Sequence, residues 1–305
     1  MKSGSNLEKI LSSGQFAVTA EIGPPKGADG DHVREWGRKL KGKADAFNVT
    51  DNQTAVVRLS SLAGSVLLIQ EGVEPVMQMV CRDRNRIAMQ SDVLGASVLG
   101  VRNLLCLTGD HQTLGSQPGA KNVFDVDSIQ ELLMFKIMRD ESRIMGADPL
   151  TKPPLLFLGA AENPFANPHE FRVHRLAKKV KAGADFIQTQ VIYDIDRFEK
   201  FMDDVRSHHL DEKVHILGGV TPLKSAKVAK YMKNKVAGII MPEAVISRME
   251  KAADPKAEGI KVCIETIKHL QKMKGVHGVH VMAIAWEEKV PEIVEGAGLL
   301  PRPVP

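Results

Sequence analysis

Residues 167–190 read NPHEFRVHRLAKKVKAGADFIQTQ. Asn167, Pro168 and Glu170 have the form of a helix start: a cap, a proline at the first helical position and an acid in the first turn. Val173, Leu176, Ala177 and Val180 follow at helical spacing and make one apolar stripe. By that periodicity Lys178 and Lys179 fall on the exposed side, from which either could reach a phosphate. Gly183 is placed to end the helix. The run 185–190 then reads as a strand, so this stretch is one helix feeding one strand.

The same unit recurs outward in both directions. Apolar runs fall at 16–21, 46–49, 75–80, 103–107, 155–160, 185–190, 214–219 and 279–283. They are continuous rather than alternating, as strands buried on both faces of a parallel sheet are. Amphipathic segments lie between them. Ser128 and Glu131 form a capping box before Leu132, Leu133 and Ile137. Phe198, Phe201, Met202 and Val205 make another stripe, and Ile260, Cys263, Ile264, Ile267 and Leu270 a further one. About eight strand–helix units in 305 residues predict a (β/α)8 TIM barrel, one α/β domain over residues 1–305. The competing architecture is an open doubly wound sheet, but no GxGxxG follows the first strand. The loop 109–127, rich in Gly, Ser, Gln and Pro, is long enough to be functional.

Composition narrows the function classes. Hydrophobic residues are 43%, enough for a sizeable core, and acids and bases nearly balance at a net charge of +4. With aromatics at 5% and the charges interspersed, no nucleic-acid surface is indicated. No run approaches the roughly 18 apolar residues of a membrane span, and the N-terminus lacks a signal-peptide pattern. Cys81, Cys106 and Cys263 are far apart and read as reduced, buried thiols, which fits a cytoplasmic protein. The ten histidines include no metal-binding spacing, so no metal is expected. His277 and His280 flank the last strand and read as structural.

A barrel of this kind places its active site at the carboxyl ends of the strands. Glu21, Thr50, Asp110 and Gln190 stand at four of those ends and would project into one mouth. Two of the four are carboxylates, which suits acid–base chemistry or recognition of an N–H-rich ring.

The residues at those ends carry a family likeness. Glu21-Ile22-Gly23-Pro24-Pro25 resembles the E-x-x-P-P signature of methylenetetrahydrofolate reductases. Val49-Thr50 resembles their second strand end, and Leu107-Thr108-Gly109-Asp110 their L-x-G-D. Residues 179–185 running on to Thr189-Gln190 resemble their K-V-x-A-G-A-(D/N)…T-Q block. The resemblance implies a flavoprotein, with FAD or alternatively FMN, that reduces 5,10-methylenetetrahydrofolate to 5-methyltetrahydrofolate.

It also implies roles. Glu21 matches the acid that protonates N10, Asp110 the carboxylate near flavin and pterin, and Gln190 a folate contact. Thr50, Gln78, Thr108, Gly109, Asp110, Glu162 and Lys179 are the implied flavin contacts, Gln78 standing where a His is common. A general acid must hold its proton near neutral pH, which burial or a nearby negative charge provides. Asp110, facing Glu21 across the mouth, would be that charge.

The stretch 241–249 lacks the aromatic that some bacterial members set against a nicotinamide. That counts against a direct nicotinamide donor, and the resemblance implies as electron donor either NAD(P)H or an iron–sulfur or zinc-bearing partner subunit, in a heteromeric complex or an oligomer. An apolar patch near the mouth would serve such a partner. The alternatives are another flavin barrel of the proline-dehydrogenase kind, or a non-catalytic flavin or scaffold subunit of an electron-transfer complex.

Overall fold

The computed structural model describes residues 1–236 and 238–304. Its strands are β1 (Ala17–Glu21), β2 (Ala46–Val49), β3 (Pro75–Val80), β4 (Asn103–Leu107), β5 (Phe157–Glu162), β6 (Phe186–Val191), β7 (His215–Val220) and β8 (Val276–Val281). Each pairs in parallel with the next, and β8 pairs back onto β1 with Ala17 opposite Gly278, closing the barrel. The helices are α1 (Asn6–Ser12), α2 (Gly30–Leu40), α3 (Ser61–Gln70), α4 (Arg86–Val98), α5 (Ser128–Asp140), α6 (Arg172–Ala182), α7 (Ile195–Ser207), α8 (Ala226–Lys235), α9 (Glu243–Lys251), α10 (Pro255–Leu270) and α11 (Val290–Gly296). The expected (β/α)8 barrel is the observed fold. Among the described residues no helix is long and apolar enough to cross a membrane.

Strand side chains alternate between the barrel interior and the helical shell. The outer set forms the large core: Val18, Phe47, Met77, Met79, Leu158, Ile187 and Ile216 pack against the helices. The inner set at the amino-terminal end is apolar too. Ala17, Ala46, Val76, Leu105, Phe157, Phe186 and Leu217 pack with Leu7, Ile10 and Leu11 of α1, which plugs that end. The opposite end is left to carry chemistry.

Three boundaries depart from the expectations. β5 begins two residues late, because Leu155 follows two prolines and is exposed. β8 begins earlier than expected, because His277, Gly278 and His280 interrupt the apolar run that marks a strand. The Asn167–Glu170 helix start is not formed. Pro168 takes an extended ψ of 135°, a 3₁₀ turn covers His169–Phe171, and α6 starts at Arg172.

The capping box of α5 sits one residue early. Asp127 accepts from the Ile129 and Gln130 amides while Gln130 returns to the Asp127 amide. That frees Ser128 to bond Thr108 and sends Glu131 into the core, fully buried.

Gly183 does end α6, at φ +115°, in the left-handed region that favours glycine. A Cβ there would also meet Lys136 Cβ at 2.8 Å. Gly183→Ala is expected to cost at least about 1–2 kcal/mol from the backbone alone, measured by urea unfolding. A change below ~0.5 kcal/mol would contradict the strain reading.

Candidate active site

A cavity of about 360 Å³ opens at the carboxyl ends of the strands. Six of the expected residues line it: Glu21, Gln78, Thr108, Glu162, Lys179 and Gln190. They arrive from β1, β3, the β4 end, β5, α6 and β6, so residues far apart in the chain meet at one mouth. Thr50, Gly109 and Asp110 are not part of its wall. The carboxyl near Glu21 is not Asp110 but Glu287, on the turn after β8. Burial pushes the Glu287 carboxyl above its ordinary range, and the Glu21 charge adds to that.

Below the mouth the barrel interior is polar. The inward positions two residues on from the apolar plug are Thr19, Asn48, Gln78, Gln188 and His280, all buried. Four of them join into one hydrogen-bonded column. Asn48 Nδ2 donates to Gln188 Oε1 at 2.7 Å, and Gln188 Nε2 donates back to Asn48 Oδ1 at 3.0 Å. Gln188 Nε2 also donates to Thr19 Oγ1 at 3.1 Å. Thr19 Oγ1 lies 3.0 Å from His280 Nδ1. His280 Nε2 lies 3.6 Å from Glu21 Oε1. His280, read from sequence as structural, is thus Glu21's direct neighbour.

Lys179 is not exposed. Its ammonium donates to Glu162 Oε2 at 2.7 Å and to the Ala161 carbonyl at 2.5 Å, and both side chains are buried. Burial lowers its pKa from the ordinary lysine value, and the Glu162 carboxylate opposes that shift. Among the described residues Arg172 and Arg175, also on the cavity wall, have no carboxylate partner, and no motif marks them in the sequence.

The rim is braced by arginines. Arg82, 3% exposed, donates to the Asn52 carbonyl at 3.3 Å, to the Asp110 carbonyl at 3.0 Å, and to Asp83 at 2.7 and 2.8 Å. Arg84 pairs with buried Asp51 at 2.7 Å. The loops after β2 and β4 are therefore tied together, and Ser116 N donates to the Ala55 carbonyl at 3.1 Å across them. Gly109, at φ +89°, packs against Val80 and Arg82, and Asp110 is exposed beyond it. Val57 and Leu114 are exposed apolar side chains on these two loops.

The residues present fit a flavin. Thr50 Oγ1, outside the cavity wall, is buried with no hydrogen-bond partner among the described residues. Gln78 offers an amide in the cavity wall, and Arg172 and Arg175 offer two guanidiniums to a phosphate. Among the described residues no group of three or more His, Cys, Asp or Glu could hold a metal. All three cysteines are free and buried.

The methylenetetrahydrofolate reductase family model matches residues 6–298. The chain is similar to a probable methylenetetrahydrofolate reductase (NADPH) of Caenorhabditis elegans, 23% identical over 96% of this chain and 44% of that protein. It is similar to the 5,10-methylenetetrahydrofolate reductase of Salmonella typhimurium, 23% identical over 75% of this chain and 72% of that protein. It spans about half the length of several of the curated relatives it matches. An uncharacterized protein from Clostridium thermocellum that binds two copies of 5-methyl-5,6,7,8-tetrahydrofolic acid shares the fold at TM-score 0.65 and 15% identity, over 97% of this chain and 99% of that one.

Proposed function

The chain belongs to the methylenetetrahydrofolate reductase family, and from that premise we propose that it reduces 5,10-methylenetetrahydrofolate to 5-methyltetrahydrofolate. The observation that carries the reading is Glu21, at the cavity wall and 3.6 Å from the imidazole of a buried polar column. The Salmonella relative's name and the methyltetrahydrofolate held by the Clostridium protein support the same substrate class.

In this reading Glu21 gives its proton to N10 of the folate. The bond from N10 to the methylene carbon breaks, and that carbon becomes an iminium on N5. A bound flavin, FAD or alternatively FMN, would supply the hydride that this carbon accepts. Gln190 holds the pterin, and Asp110, on the rim loop, is the carboxylate assigned to its outer side. Thr50, Gln78, Thr108 and Gly109 hold the flavin ring and its chain, and Arg172 and Arg175 hold its phosphate. Glu162 and Lys179, paired with each other, shape the wall between them. Electrons come from NAD(P)H or from a partner subunit carrying iron–sulfur or zinc, for which Val57 and Leu114 offer apolar surface at the mouth.

The test is the visible spectrum of the purified chain. Reduced with dithionite and given methylenetetrahydrofolate, it is expected to recover the oxidised flavin band, with methyltetrahydrofolate formed in equal amount. A bound flavin that stays bleached would favour another flavin barrel or a non-catalytic carrier, and a chain that takes up no flavin would reject the reading.

A further inference from the structure

We propose that Thr189 is a positioning residue: its hydroxyl is built into the ladder between β6 and β7, and it sets the direction in which Gln190 offers its amide to the ligand. The proposal rests on the reading of Gln190 as a pterin contact. Thr189 itself touches neither substrate nor flavin in that reading.

The register shows where the ladder opens. Gln188 faces Leu217 and Val191 faces Gly219, so β6 advances three residues while β7 advances two. A bulge of this kind re-aims side chains and leaves backbone groups in need of partners. Thr189, itself buried, supplies them. The Gly219 amide donates to Thr189 Oγ1 at 2.9 Å, and the Thr189 hydroxyl donates to the Gln190 carbonyl at 2.9 Å. The order of these hydrogens is fixed, because a backbone amide nitrogen only donates and a carbonyl oxygen only accepts. Beyond the bulge the Ile192 amide donates to the Gly219 carbonyl at 2.9 Å. The approach is close: a Cβ on Gly219 would lie 2.3 Å from the Thr189 carbonyl oxygen and 3.0 Å from that of Gln190. The glycine leaves the space into which β6 bows.

The Gln190 side chain is set by the same peptide unit. The Val191 amide donates to Gln190 Oε1 at 2.9 Å. That identifies the oxygen of the side-chain amide, since the opposite orientation would set an NH2 against an N–H. Gln190 lines the cavity, and its Nε2 has no hydrogen-bond partner among the described residues. It therefore offers the ligand N–H donors while its acceptor is held by the strand, which suits a ring carbonyl or an unprotonated ring nitrogen. The Gln190 carbonyl and the Val191 N–H are the two ends of one planar peptide. The Thr189 hydroxyl holds one end, and the other end holds Gln190 Oε1. Without the hydroxyl, the Gly219 amide and the Gln190 carbonyl face each other as donor and acceptor across the space it filled. The strand closes on them, the peptide turns, and the N–H that holds the Gln190 amide turns with it.

The experiment is single-turnover reoxidation of the reduced, flavin-loaded chain over a range of methylenetetrahydrofolate concentrations. Thr189→Val keeps the shape and removes the hydroxyl. Its half-saturating concentration is expected to rise roughly five- to tenfold, the size of one net hydrogen bond. Its limiting rate is expected to stay within about twofold of wild type, as when a uniform binding contact is lost. Thr189→Ser keeps the hydroxyl and is expected to restore the half-saturating concentration. In a Gln190→Ala background the valine change is expected to add less than about twofold, because the side chain it acts through is gone.

An unchanged half-saturating concentration in Thr189→Val overturns the proposal, as does a full effect in the Gln190→Ala background or a loss confined to the limiting rate. If Thr189→Val does not fold, Thr189→Ala, which leaves room for a water, takes its place. Crystal structures of the wild type and the variant give a readout without turnover: the Gln190 amide is expected to leave the Val191 N–H, and an amide that stays overturns the positioning. Should the wild type fail to reoxidise with methylenetetrahydrofolate, the functional reading fails, and that structural comparison judges the positioning by itself.

Discussion

Glu21→Gln is expected to retain bound flavin and to lose roughly 10²- to 10⁴-fold of methylenetetrahydrofolate turnover, the ordinary worth of a positioned general acid. Glutamine fills the same space at the end of β1 and keeps one carbonyl oxygen near His280 Nε2. What it cannot do is release a proton to N10, so ring opening loses its acid while the cavity keeps its shape. Flavin retention follows because the groups assigned to the flavin sit on other elements: Gln78 on β3, Thr50 after β2, and Arg172 and Arg175 on α6. The measurement is single-turnover reoxidation of the reduced protein by methylenetetrahydrofolate, beside the flavin content of each preparation. Turnover within threefold of wild type would remove Glu21 from the chemistry. Loss of flavin along with turnover would make Glu21 part of the binding site instead.

The barrel was legible because its strands are buried on both faces. That burial writes itself into the sequence as uninterrupted apolar runs, and seven of the eight expected runs overlap the observed strands by at least four residues. The exception is instructive. β8 carries His277 and His280 among small and apolar residues, so only its second half looked like a strand. The same effect hid the polar column. Thr19, Asn48 and Gln188 each lie inside an apolar run, and one polar residue in such a run is easily passed over as tolerated.

A usable signal was present. Thr19 and Glu21, Asn48 and Thr50, and Gln188 and Gln190 are spaced two apart, so each pair faces the same side of its strand. Assigning Glu21, Thr50 and Gln190 to the mouth therefore assigns the other three to the barrel interior just beneath it.

The burial of Lys179, which the cavity lining otherwise includes as expected, escaped for a different reason. The buried positions of α6 are Val173, Leu176, Lys179 and Ala182, a strict three-residue spacing that includes a charge. Reading the stripe through Ala177 and Val180 avoided the charge and put it outside. Asp110 lies outside the cavity wall and Glu287, which no sequence signal marked, lies near Glu21, because loop paths, unlike strand runs, leave little periodic trace in a sequence.

Lys179→Met is expected to destabilise the fold by about 3–5 kcal/mol, the usual cost of leaving one member of a buried pair behind. The Lys179 and Glu162 side chains are 6% and 1% exposed. With the ammonium gone, the Glu162 carboxylate keeps the Asn163 amide at 3.1 Å as its remaining hydrogen-bond donor among the described residues. It then has either to stay ionised in a poorly solvated site or to take up a proton. The Ala161 carbonyl loses its donor as well. The double change Lys179→Met with Glu162→Gln removes both charges, and it is expected to recover more than half of the loss. Urea unfolding of the two variants measures this.

A single variant within ~1 kcal/mol of wild type would mean that water reaches the pair and that the wall between β5 and α6 is not sealed. The comparison also bears on the cofactor. If Lys179 served the flavin phosphate directly, the double variant would refold yet bind flavin poorly. If its ammonium is occupied by Glu162, as the 2.7 Å contact implies, the double variant keeps its flavin, and Arg172→Ala with Arg175→Ala is the change that releases it.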